Sequence, residues 1–306
     1  MFELLISGAI LPRGTPLMEE TMSLQTRPLS YSLGLEIMDI DLARVDDQTF
    51  TEIHQAFLDS NGLLLFRDQE LTRRQHIDFS RRFGELDLHE AVPLDRHPDH
   101  PEILIVANEP VVDGMGSNGR YIGQTWHSDL APSLAPALGS LLRAIEIPPV
   151  GGDTMFTNMY AAYETLSDGM KNLIKDLHGV HIRGRKAVSA EWEAQNRKLN
   201  PPVAQPVVKV HRDTGRKALY IGEPVRSFEH MTEEESLPLI QYLVRHATRP
   251  QFIYRHQWRR NDLLFWDNRC TMHNALGDYD QSKRRYMERT TIKGDPCGYY
   301  CTVTTA

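Results

Sequence analysis

The sequence predicts a mainly β protein, a sandwich or barrel with flanking helices. Short apolar runs bounded by turn residues recur along the second half of the chain, while helical patterns fall mostly in the first half. No glycine-rich turn of the dinucleotide or phosphate-loop kind follows a strand. Gly151-Gly152-Asp153 is a turn without the further spaced glycines such loops need.

Taken in order, residues 47–59 are expected to form a helix. Gly62-Leu63-Leu64-Leu65-Phe66 is an unbroken apolar run of strand length and reads as a buried strand, as does Ile103-Leu104-Ile105-Val106. Between them, Thr72 and Gln75 have the spacing of a capping box opening a helix that runs to about residue 83. Further strands are expected at 139–147, 207–210, 218–221, 252–255, 262–266 and 286–292. A helix is expected over 159–178 with a break near Ser167, and another over 232–247 behind a second capping box of Thr232 and Glu235. Asn200-Pro201-Pro202 marks a loop, and no repeat or low-complexity linker divides the chain. One domain is therefore expected over 29–296, between a loose N-terminal extension at 1–28 and a disordered C-terminal tail at 297–306. The mildly apolar start lacks a basic segment and runs into Pro12 and Arg13, which argues against a signal peptide.

Composition excludes several function classes. Lysine and arginine number 34 against 41 acidic residues, giving a net charge of −7 with no long block of one sign. Nothing there favours a nucleic acid or an anionic membrane as partner. Three cysteines, Cys270, Cys297 and Cys301, cannot all pair, so a reducing, cytoplasmic setting is expected. No apolar run approaches the roughly 18 residues a membrane-spanning helix requires.

The chemistry is carried by Trp126-His127-Ser128-Asp129 and by His273 far downstream. In an extended strand, side chains two apart share a face, so His127 and Asp129 can aim inward together. Two imidazoles and one carboxylate, with the remaining positions open, form the facial ligand set for a non-heme Fe(II) that activates oxygen. A His-x-Asp pair alone is weak, since the chain has 13 histidines and many acids.

The surrounding blocks sharpen it. Phe66-Arg67-Asp68-Gln69, Arg82-Phe83-Gly84-Glu85-Leu86, Trp126-His127-Ser128-Asp129, Gly151-Gly152-Asp153-Thr154, Trp266-Asp267-Asn268-Arg269 and Arg284-Arg285-Tyr286-Met287-Glu288-Arg289 occur in that order. In these blocks, over about residues 30–295, the chain resembles the Fe(II)/2-oxoglutarate-dependent dioxygenases of the taurine dioxygenase and 2,4-dichlorophenoxyacetate dioxygenase family. The resemblance implies a double-stranded β-helix (jelly-roll) core and a homo-oligomer, dimer or tetramer. It implies His127, Asp129 and His273 as iron ligands, with 2-oxoglutarate as cosubstrate and O2 as oxidant. The far carboxylate of 2-oxoglutarate would be held by Arg285, 12 residues after His273, with Arg284 as the alternative, and by the hydroxyl of Thr154. A bidentate guanidinium suits that carboxylate. The family couples decarboxylation of 2-oxoglutarate to succinate and CO2 with hydroxylation of a substrate C–H bond. The carboxylate of Asp129 favours hydroxylation over halogenation.

His89 and Arg289 resemble the positions that hold the substrate's oxyanion, and Trp266 is set against the substrate as well. Val92, Ile122 and Gly123 replace the polar residues expected for taurine. An apolar-bodied organic anion is therefore expected: an aryloxyalkanoate, an alkyl sulfate or a sulfonate. Hydroxylation beside a heteroatom would give an adduct that collapses with bond cleavage. The loops at 86–98, 109–124 and 181–205 are expected to form the pocket mouth. Two rivals stand beside this reading, a non-catalytic jelly-roll metal-binding protein and a zinc hydrolase using the same triad.

Overall fold

A computed structural model describes residues 24–90, 92–109, 123–183 and 197–304. Its strands, in chain order, are β1 (Thr26–Pro28), β2 (Leu35–Ile37), β3 (Leu63–Phe66), β4 (Leu104–Ala107), β5 (Ala137–Glu146), β6 (Thr154–Asn158), β7 (His178–His181) and β8 (Val203–Pro206). They continue as β9 (Val208–Val210), β10 (Lys217–Leu219), β11 (Val225–Phe228), β12 (Ile253–His256), β13 (Leu263–Asp267), β14 (Thr271–Ala275), β15 (Tyr286–Lys293) and β16 (Tyr299–Tyr300). The helices used below are α1 (Asp47–Asp59), α2 (Arg73–Arg81), α3 (Met159–Glu164), α4 (Asp168–Ile174) and α5 (Glu233–Ala247).

The largest sheet runs β1-β2-β3-β13-β5-β15-β4, antiparallel throughout except for the parallel pair β2–β3. β3 is apolar at every position because both of its faces are covered. Leu64 and Phe66 pack with Phe57 of α1, with Ile77 and Phe79 of α2, and with Phe265 and Ile292. Leu63 and Leu65 point the other way and pack with Phe156, Trp266 and Met287. The two-residue period of a strand divides this one run between two cores. Phe57 stacks on Phe265 with ring centroids 3.9 Å apart, which fastens α1 to the sheet.

The second layer, facing Leu63 and Leu65, is the three-stranded sheet β12-β6-β14. A four-stranded sheet β11-β7-β8-β16 and the pair β9–β10 complete the β structure among the described residues. A third core joins α3 and α5 to β10, β11 and Met272 of β14. Both expected capping boxes form: the Thr72 hydroxyl accepts from Gln75 N–H at the start of α2, and Thr232 does the same with Glu235 at the start of α5. No helix among the described residues is long and apolar enough to cross a membrane.

Three expectations change. The helix expected over 159–178 breaks at Ser167 but ends with α4 at Ile174, and His178–His181 is strand β7. Pairing with β8 and β11 on either side decides that segment against its local helical pattern. Of the expected tail at 297–306, the described residues 297–304 are not free: Tyr299 and Tyr300 pair with Ala204 and Val203 of β8, and Cys301 N–H bonds the Pro202 carbonyl. The extension expected at 1–28 takes in the whole of β1, which pairs with β2; residues 1–23 lie outside the described residues.

Candidate metal centre

The site is built on the turn between β13 and β14, which carries the chain from the seven-stranded to the three-stranded sheet. Asp267, at the end of β13, accepts from Arg269 through both carboxylate oxygens and from His211 Nε2 at 3.0 Å. Burial raises the Asp267 carboxyl, but the Arg269 charge and the His211 bond outweigh it and hold the carboxyl at about 2. Thr271 Oγ1 donates to the Asp267 carbonyl at 2.7 Å. The turn is thereby fixed, and it delivers Asn268 and His273 to one place.

His273 lies on β14 and forms a reciprocal backbone bridge with His127: His127 N–H to His273 O at 3.1 Å, and His273 N–H to His127 O at 2.9 Å. Ser128 Oγ donates to the Thr271 carbonyl at 2.9 Å, so the segment is zipped along β14. His127 and Asp129 are thus brought inward by a single bridge followed by a turn, with Leu130 at φ +52°, rather than by the regular strand expected. The two imidazole centroids are 4.2 Å apart. One donor atom from each of His127, Asp129 and His273 lies within 4.8 Å of the others, and His273 Nε2 is 3.9 Å from Asp129 Oδ1. His127 Nδ1 donates to the Thr125 carbonyl at 2.7 Å, which leaves Nε2 as the free lone pair.

Asp129 is held from three sides. Its N–H donates to Asn268 Oδ1 at 2.9 Å, and Ser140 Oγ donates to its Oδ2 at 2.8 Å. Asn268 Nδ2 donates in turn to Ser140 Oγ at 3.2 Å, and Trp266 Nε1 donates to Asn268 Oδ1 at 3.1 Å. The third contact is an ion pair with Arg289, Nη1 to Oδ1 at 2.6 Å. Burial opposes the charged carboxylate, yet Arg289, then the two histidines and Ser140, keep it far below the ordinary range. His273 moves the other way: burial, then the neighbouring His127, lower it to about 3. An anionic carboxylate and a neutral imidazole are the protonation states a divalent cation needs from its ligands.

Thr154 lies on β6, opposite Ala275, while Phe156 lies opposite His273. Cross-strand register therefore puts Thr154 and His273 on the same face of this sheet. The Thr154 hydroxyl accepts from Trp258 Nε1 at 3.0 Å and retains its own proton to donate. Arg285 is buried, with 7% of its surface exposed, and Nε donates to the Gly152 carbonyl at 3.2 Å. Gly152 sits at φ +72° with a built Cβ only 3.3 Å from that same nitrogen, so the turn requires glycine there. No carboxylate among the described residues pairs with Arg285. A guanidinium buried without a carboxylate partner carries a desolvation cost that a paired anion would offset. Arg284 faces outward instead, paired with Glu109 at 2.6 Å and Glu146 at 3.0 Å and lying over the Tyr286 ring.

The remaining expected residues are placed as follows. Arg289 reaches the site, but its partner is Asp129, and its Nε is buried with no partner. His89 is buried at φ +53°, with its Nε2 3.3 Å from the Glu102 carbonyl. Burial, then the charge of Arg289, push it down to about 4. Trp266 is 1% exposed, packs 4.9 Å from the His273 ring and uses its N–H on Asn268. It is therefore the wall behind a ligand rather than a surface open to substrate, which corrects the expected substrate contact. Of the expected pocket mouth, 91, 110–122 and 184–196 lie outside the described residues, among them Ile122, Arg185 and Lys186. Sequence reasoning passed over Asn268 and Ser140. Asn268 sat inside a quoted block; Ser140 had no signal, being one small residue in an apolar strand.

The chain matches the family model described as Taurine catabolism dioxygenase TauD, TfdA family, over residues 25–291. It is 33% identical to the (S)-phenoxypropionate/alpha-ketoglutarate-dioxygenase of Sphingobium herbicidovorans, covering 88% of this chain and 94% of the relative. It is 32% identical to the alpha-ketoglutarate-dependent 2,4-dichlorophenoxyacetate dioxygenase of Cupriavidus pinatubonensis, covering 90% and 99%. Among solved structures, that of AAD-2 in complex with Mn(II) and N-oxalylglycine superposes with a TM-score of 0.76 at 31% identity, covering 90% of this chain and all of the other.

Proposed function

Since the chain belongs to the TauD, TfdA family of Fe(II)- and 2-oxoglutarate-dependent dioxygenases, we propose that it hydroxylates an organic anion of the aryloxyalkanoate type. The scaffold would be a double-stranded β-helix formed by the seven-stranded and three-stranded sheets. His127, Asp129 and His273 would hold the iron, and Arg285 with Thr154 would hold the far carboxylate of 2-oxoglutarate. The observation that carries this reading is Arg285, a buried guanidinium without a carboxylate partner. A structural metal protein or a zinc hydrolase has no use for it, which disfavours both rivals.

Bound Fe(II), with O2 and 2-oxoglutarate, supplies oxidative decarboxylation to succinate and CO2 coupled to oxygen insertion into a substrate C–H bond. The chain's own residues supply position and charge. The Thr125 carbonyl fixes the tautomer of His127, and Asn268 and Ser140 fix the carboxylate plane of Asp129. Arg285 binds one end of the cosubstrate as a fixed cation, so its reacting end is oriented before the substrate arrives. Arg289 neutralises Asp129, and its unpartnered Nε remains a donor for the substrate's anionic group. His89 is neutral and its Nε2 faces the Glu102 carbonyl, so an anion beside it would favour its protonated form. Hydroxylation at the carbon next to the ether oxygen would give a hemiacetal that collapses and frees the phenol.

A panel of aryloxyalkanoates, alkyl sulfates and sulfonates, read by succinate formation, tests the reading. Succinate release that depends on an aryloxyalkanoate is expected. Succinate released with only a sulfate or sulfonate would move the substrate class, and none with any anion would leave the metal-binding rival standing. Turnover without O2 would favour the hydrolase.

A further inference from the structure

Lys209, on β9, carries an ammonium that no carboxylate among the described residues neutralises. Its Nζ lies 3.1 Å from Gln205 Oε1, 3.3 Å from Cys297 Sγ and 3.3 Å from the centre of the Tyr220 ring. Burial, against the pull of Cys297, lowers this lysine to about 8. A desolvated ammonium with only a neutral amide, a ring face and a thiol around it calls for an anion. The group beside it able to become one is the Cys297 thiol.

These groups line a cavity of about 260 Å³ together with Tyr220. Tyr220 is 4% exposed, and its hydroxyl has no hydrogen-bond partner. Asp295 lines the same cavity, but its carboxylate is paired with Arg212 at 2.9 Å. Cys297 itself is exposed, so reagents can reach it. Its backbone is fixed, with Cys297 N–H and Gly298 N–H both donating to the Leu134 carbonyl at 3.0 Å.

We propose that Cys297 is a reactive thiol and a modification site: its sulfur, which accepts from the Lys209 ammonium and donates to Gln205 Oε1 at 3.2 Å, is oxidised by hydrogen peroxide to a sulfenic acid. A sulfur lone pair attacks one peroxide oxygen and the O–O bond breaks. Sulfur loses two electrons, and the departing hydroxide takes the proton that the thiol gives up, becoming water. The new S–O group sits in a cavity where the Lys209 ammonium and the unpartnered Tyr220 hydroxyl can both donate to it.

The other two cysteines are internal controls. Cys301 is half-buried, and burial, then Glu229, push its thiol up to about 11. Cys270 is fully buried and raised well above its ordinary value. The full-length protein is treated with sub-stoichiometric iodoacetamide at neutral pH, or with hydrogen peroxide and a 1,3-cyclohexanedione trap, and its peptides are weighed. Cys297 is expected to take the label first, at least about tenfold faster than Cys301, with Lys209→Met removing most of that advantage and Lys209→Arg retaining it. Cys270 left unlabelled certifies that each variant is folded. Equal labelling of Cys297 and Cys301 in the unaltered protein overturns the proposal without any variant. A folded Lys209→Met protein that labels at the original rate overturns it as well.

Discussion

At the scale of single residues, the centre depends on groups one bond away from the ligands. Asp129 is a buried carboxylate oriented by Asn268, Ser140 and Arg289. Removing such supporting hydrogen bonds commonly costs 10–100-fold in metal affinity. Asn268→Ala is therefore expected to weaken Fe(II) binding by about that factor, measured by anaerobic titration, while leaving the three ligands in place. Arg284 and Arg285 are adjacent in sequence and opposite in environment. Arg285→Ala should raise the 2-oxoglutarate KM by at least about 30-fold, as expected when a buried charged partner is lost. Arg284→Ala, which removes exposed ion pairs, should change it by less than about threefold. The reverse pattern would assign the cosubstrate to Arg284.

At the scale of elements, two local devices hold the parts in place. The capping boxes were legible in the sequence because a cap is a contact between residues three apart. Thr232→Ala should cost about 1 kcal/mol in urea unfolding. The β13–β14 turn is a buried ion pair and not a cap. Arg269→Ala leaves the buried Asp267 carboxylate with His211 and the backbone N–H of residue 269 but no cation, and should cost about 3 kcal/mol. The proposed metal triad was legible only because six sequence blocks occur around it in one order, since a His-x-Asp pair alone is common. The strands carrying His273 and Thr154 were not. Thr271–Ala275 and Thr154–Asn158 are short and partly polar, and it is pairing with each other, and of Thr154–Asn158 with β12, that makes them strands. Strand His178–His181 was not expected, and the helix was carried on to His178, for the same reason: the partners of this strand lie more than 20 residues away in the chain. Asp129 is brought inward through the His127–His273 bridge and a side-chain bond from Asn268, contacts between residues at least 139 apart that no local pattern contains.

At the scale of the molecule, two buried histidines outside the metal centre set a pH limit. Burial, then the nearby cations Arg143 and Lys209 respectively, lower His76 and His181 to about 3. Below the ordinary histidine value of 6.5 the unfolded chain takes up protons that the folded chain refuses. The contribution of these two histidines should therefore be constant above about pH 7 and fall steadily as pH drops from about 6.5 toward 3. Several kcal/mol are at stake if each histidine contributes fully, at about 1.4 kcal/mol per pH unit. Urea unfolding at pH 8 and pH 5 measures the difference. Neither nitrogen of His181 has a hydrogen-bond partner, so His181→Phe should make the pH 5 loss smaller without weakening the protein at pH 8.

The central claim is that one face of this fold holds Fe(II) and 2-oxoglutarate together through His127, Asp129, His273 and Arg285. Its most direct test is the visible spectrum of the anaerobic protein on adding Fe(II) and then 2-oxoglutarate. A weak metal-to-ligand absorption should appear only when both are present. It should be absent in His127→Ala and should require far more 2-oxoglutarate in Arg285→Ala. Intact, folded protein that shows no such absorption at saturating Fe(II) and 2-oxoglutarate would contradict the claim.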